Sequence, residues 1–120
     1  MQNHDDVPGP VDLPRLAALA RGQRIAWSTT TEDLNVNLIV LRDGEAIEAH
    51  RNAEVDVLVV GIDGTGEVVI DGVARRITPD TAIVIPRGAE RAMRVLSAPF
   101  AYLTCHRQRA RLWPAPARRS

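Results

Sequence analysis

Residues 55–78, VDVLVVGIDGTGEVVIDGVARRIT, decide how this chain folds. Val55 to Gly61 is a nearly continuous apolar run, short enough for a strand and suited to one covered on both faces. Gly64-Thr65-Gly66 turns the chain into Glu67-Val68-Val69-Ile70. Asp71-Gly72 is a two-residue hairpin signal, because both positions tolerate positive φ. Val73 to Thr78 then returns, Pro79-Asp80 turns, and Ala82 to Ile85 is apolar again. Upstream the period is also two: Ile25 to Thr30 alternates, and Val36, Leu38 and Val40 alternate with Asn35, Asn37 and Ile39 before Asp43-Gly44. Glu45 to Asn52, Arg91 to Leu96 and Phe100 to His106 bring the set to about nine short strands. Turn signals fall roughly every eight to twelve residues, as in a sandwich or barrel.

The flanks differ. Residues 1–11 read as a loose, polar, acidic leader that lacks the basic start and apolar run of a signal peptide, and His4 within it has no assigned role. Asp12 is a suitable N-cap for a short helix with Pro14 in its first turn. Leu13, Leu16, Leu19 and Ala20 form its apolar face, and Gly22 ends it. That helix is expected to pack on the barrel, so residues 12–106 make one domain. Residues 107–120 form a basic tail with arginines at 107, 109, 111, 118 and 119. We read it as a solvated end with Trp113 docked on the body, in preference to a phosphate-seeking arm.

Composition excludes several classes. Fifteen basic and fifteen acidic residues cancel, so no global field draws in nucleic acid or an anionic membrane. No apolar stretch approaches the roughly eighteen residues that span a bilayer. A lone cysteine, Cys105, rules out an internal disulfide and fits a reducing cytoplasm; it is expected to be a small core residue. Cys105 and His106 do not form a nucleophile–base pair, because neighbours on a strand point to opposite faces.

Two motifs then carry a family resemblance over residues 35–105. Gly44 is followed after five residues by His50, then Asn52, then Asp56 after three more, with Gly64 beyond. Farther on, Asp80 precedes Pro86-Arg87-Gly88, with Arg91 and Val95 following. This pattern resembles the two motifs of the cupin family, which implies a double-stranded β-helix, or jelly-roll barrel. In that family three histidines and a glutamate hold a divalent metal. Here only His50 stands at a histidine position; Asn52, Arg91 and Val95 replace the second histidine, the third histidine and the asparagine, and Asp80 replaces a glycine.

The replacements change the chemistry. Imidazole and carboxylate suit iron, manganese, nickel or zinc, whereas a carboxamide is a weak ligand and a guanidinium has no lone pair to give. A barrel acid left without its cation needs another partner, and Arg91 facing Asp56, or Glu54 if the register slips, would supply one. Alternatively Arg91 presents its fork to an anionic small molecule oriented by His50 and Asn52. The expected function is therefore a metal-free small-molecule-binding module. His50, Asn52, Glu54, Asp56 and Arg91 are its candidate ligand-binding residues, with walls from Val36, Leu38, Leu58, Val60 and Met93. The alternative is a metal-dependent oxygenase, isomerase or lyase with His50, Asn52 and Asp56 around the ion. A third reading is a structural partner whose barrel is filled by its own side chains. The resemblance also implies a homodimer.

Overall fold

The structure, a computed structural model, describes residues 8–108. The leader up to residue 7, with His4, and the tail from residue 109, with Trp113, lie outside the described residues. Helix α1 (Leu13–Leu19) precedes seven strands: β1 (Ile25–Thr30), β2 (Leu34–Leu41), β3 (Ala46–Arg51), β4 (Val57–Ile70), β5 (Val73–Ile77), β6 (Ala82–Ile85) and β7 (Glu90–Arg107). All pairings are antiparallel. No helix among the described residues is long and apolar enough to cross a membrane.

Seven strands replace the expected nine because two pairs are continuous. β4 runs 14 residues through Gly61–Gly66, and β7 runs 18 residues through Leu96–Pro99. The glycines that read as a turn instead bend a single strand, with register shifts between Gly61 and Gly66. On one side of the bend the start of β4 pairs with the end of β7 (Leu58 opposite Cys105), and β2, β1 and β6 extend that half. On the other side the end of β4 pairs with the start of β7 (Ile70 opposite Arg91), flanked by β3 and β5. The two halves close on each other as a jelly roll.

Close packing explains the glycines at the bend. Gly64 adopts φ +67°, and a Cβ there would strike the Pro99 carbonyl oxygen. At Gly66 a Cβ would overlap the ring of Phe100, a fully buried side chain. Phe100 belongs to the interior cluster with Leu41, Val57, Val59, Val68 and Met93, drawn from both halves.

A second cluster lies outside the barrel. Helix α1, capped by Asp12 Oδ1 accepting from Arg15 N at 3.1 Å, rests Ala17 on Leu38, Val40 and Ala101. Leu13, Leu16 and Ala20 join it, as expected, but Leu19 points to solvent; Ala17 holds the i+4 place from Leu13. Arg42 fastens this layer by donating from Nη2 to Ala20 O at 2.6 Å and from Nη1 to Gln23 O at 3.2 Å.

Gly66→Ala is expected to cost about 1–3 kcal/mol through overpacking against Phe100. In urea unfolding, adding Phe100→Leu should cost less in the Gly66→Ala background than alone. Strict additivity would show that the ring and the glycine do not compete for the same space.

Candidate functional site

His50 on β3 and Arg91 on β7 are cross-strand partners. Antiparallel register places their side chains together, so residues 41 apart in sequence meet without a loop. His50 Nδ1 lies 2.9 Å from the Glu48 carbonyl oxygen, which can only accept; Nδ1 therefore carries the proton. In this neutral ring Nε2 keeps a lone pair, and Arg91 Nε donates to it at 3.1 Å. The nitrogen that would face a metal is thus occupied by an arginine N–H. Arg91 is only 8% exposed, whereas His50 is exposed at the rim.

Asn52 follows the end of β3 and is 9% exposed. Its Oδ1 accepts from Glu54 N at 2.9 Å and Val55 N at 3.3 Å, closing an Asx turn, and its carbonyl accepts from Gly88 N at 2.7 Å. Those bonds fix which end of the amide is oxygen. Its Nδ2 is buried with no hydrogen-bond partner among the described residues. Arg51 Nη1 donates to Gly88 O at 2.7 Å, further tying this turn to the Pro86–Gly88 loop. His50, Arg51, Asn52, Glu54 and Arg91 line a polar pocket of about 340 Å³.

Asp56 is the exception among the five candidates. It is exposed, and its Oδ1 accepts from Arg87 N at 2.8 Å; it lines an outer groove with Leu58, Val84 and Cys105. It does not face Arg91. The expected walls fail for the same reason. Val57 and Val59, not Leu58 and Val60, face the interior, and Ile39 faces it in place of Val36 and Leu38. Placing Asp56 inward sets the whole of β4 one residue out of phase, and a one-residue slip exchanges the faces of a strand. Leu38 is fully buried, but beneath α1 on the outside. Cys105 likewise lies on the outer face, half-buried, not in the interior core. Met93 lines the interior as expected.

A largely apolar chamber of about 250 Å³ remains between the two halves of the barrel. Ile39, Val57, Val59, Ile85 and Met93 form its walls. His50 and Arg91 also border it, so this pair joins the chamber to the polar pocket. Tyr102, Thr104 and Arg24 reach the same chamber; none was singled out from sequence. Period two from Phe100 would have found Tyr102 and Thr104, since all three share one face of β7.

The donor set does not fit the ion that the resemblance implies. The lone pair of His50 Nε2 accepts from Arg91, Asn52 Oδ1 is engaged by two backbone N–H groups, and Asp56 is on another face. Among the described residues no three His, Cys, Asp or Glu side chains are grouped to hold a metal.

No family model matches this sequence, and no curated protein matches it significantly. Solved structures do share the fold. A Bacillus halodurans protein superposes with a TM-score of 0.74 at 21% identity, covering 92% of this chain and 89% of that one. A double-stranded β-helix protein from Klebsiella pneumoniae gives 0.72 at 14% identity, covering 89% of each chain. A cupin-2 domain protein from Shewanella frigidimarina gives 0.68 at 14%, covering 82% and 94%. The chain therefore has the cupin fold.

Burial pushes the Tyr102 phenol from 10.0 up to about 12, against a smaller opposing pull from Arg24. Its ring lies 5.0 Å from that of Phe100, centroid to centroid. Between about pH 10 and 12 the folded chain retains a proton that the unfolded chain has lost. The stabilisation is therefore complete below pH 10 and is lost as pH rises towards 12, on the order of 3 kcal/mol in all. Tyr102 is the sole tyrosine and the chain has no lysine, so few other groups titrate there. Tyr102→Phe is expected to flatten the alkaline decline in urea unfolding; an unchanged decline would assign it to another group.

Proposed function

We propose that this chain is a small-molecule-binding module that takes an anionic ligand at the His50–Arg91 pair and does so without a metal. One observation carries the reading: a nearly buried guanidinium, held through Nε by a neutral imidazole, sits where an apolar chamber meets a polar pocket. Such a group attracts carboxylates and repels cations. Burial keeps water from screening it, and the bond to His50 limits its orientation. The rival metal-dependent enzyme would need Arg91 to leave His50 and Asn52 to abandon its turn.

The test is calorimetry on protein purified without tag metal and treated with chelator. It is expected to bind small carboxylates, and Arg91→Gln should weaken that binding at least tenfold. Near-stoichiometric iron, manganese, nickel or zinc by elemental analysis, with carboxylate binding abolished by chelation, would overturn the metal-free reading.

The assembly we propose is a homodimer of a cytoplasmic protein. On the outer face Leu34, Leu58 and Val84 are exposed beside Cys105, with Asp56 and Arg107 flanking the strip. Opposite charges at its margins allow two copies to face each other around a two-fold axis. Light scattering should give twice the chain mass, and Leu58→Asp should return it to the monomer value. A wild-type monomer at working concentration would remove this part of the proposal.

A further inference from the structure

The chamber and the polar pocket have two residues in common, His50 and Arg91. A charged ligand that enters the chamber can place its charge at that pair and its apolar atoms on the chamber side. Chamber walls are mainly valine, isoleucine and methionine; besides the His50–Arg91 pair only Arg24, Tyr102 and Thr104 bring polar groups, too few to satisfy a sugar-like or otherwise polyhydroxylated body. A cavity of ~150 Å³ accepts a benzene ring. The chamber, at about 250 Å³, has room for a ring or a short chain.

Charge narrows the head group. Arg51, Arg91 and Glu54 are the charged side chains on the polar pocket, two positive and one negative. One added negative charge balances them, while a second would face Glu54 on the same pocket. The buried Nδ2 of Asn52, held by the Asx turn, borders the same pocket as a further donor. The planar fork of Arg91 and this amide suit two carboxylate oxygens better than a phosphate dianion.

From these features we infer that the ligand is a small hydrophobic monocarboxylic acid, with its apolar body in the chamber and its carboxylate at Arg91 and Asn52. This rests on the anion-binding reading above and specifies its ligand class.

The experiment is a calorimetric series on the wild-type chain with acetate, butyrate, hexanoate and decanoate, alongside hexanamide and inorganic phosphate. Affinity is expected to rise about fourfold per methylene, and to stop rising near eight to ten carbons, roughly where the chamber fills. Hexanamide should bind at least tenfold more weakly than hexanoate, and phosphate more weakly still. Val59→Phe, which narrows the chamber, should end the gain at a shorter chain. Carboxylates that bind with no dependence on chain length, or phosphate binding more tightly than hexanoate, would overturn this inference and leave the anion site standing. Hexanamide binding as well as hexanoate, or no carboxylate binding at all, would overturn both.

Discussion

From Leu58 opposite Cys105 to Ile70 opposite Arg91, β4 and β7 stay paired through a bend that carries them from one half of the barrel into the other. Every other strand attaches to one of these two or, for β1, through β2. The ladder therefore sets the separation of the halves, and the separation sets the interior. Holding the bend requires two chains to approach more closely than side chains normally permit. Gly64 and Gly66 give up their Cβ atoms to Pro99 and Phe100, and Phe100 fills the space so released. The core and the bend are consequently one feature.

The same ladder ends at the site. Arg91 is flanked by Ile70 on β4 and by His50 on β3, so backbone pairing fixes its position before any side-chain bond forms. Burying a guanidinium is costly unless its donors are met. His50 meets one of them with an uncharged acceptor, which satisfies geometry without cancelling the positive charge. Glu54 and Arg51 border the same pocket. The result is a guanidinium set beside an apolar wall, in a part of the barrel that water screens poorly.

Much of this was legible in the sequence. Period-two patterning, Asp71-Gly72 and the two motifs were enough for the barrel, and His50, Asn52, Glu54 and Arg91 do line one pocket. What failed was parity. A run such as Val55–Gly61 is apolar on both faces, so hydrophobicity cannot tell which residues point inward. Helix α1 compounds the ambiguity by burying Leu38 and Val40 on the outside as thoroughly as Leu41 is buried within. Asp56 was the only polar mark available on that run, and it marked the wrong face. Arg91 and Met93, separated by two on β7, gave the correct parity, but transferring it to β4 requires the cross-strand register, which local sequence does not contain.

The replacements at the ligand positions also differ in kind. Arg91 changes the sign of the charge, whereas Asn52 changes the backbone. Its short amide closes the turn at Glu54 and Val55 and accepts Gly88 N on its carbonyl, binding the 52–56 segment to the loop before β7. An imidazole at 52 could not reproduce both Oδ1 contacts, because its Nδ1, at the same reach, has a single lone pair where the amide oxygen has two. Restoring histidine at 91 alone would leave two imidazoles without Asp56, which is held outside by Arg87 N. A metal site here would need a new turn as well as new ligands. Charge and scaffold at these positions both differ from the metal-holding pattern, and the ligand we propose follows from the side chains present: a guanidinium beside an apolar chamber suits an anion with an apolar body.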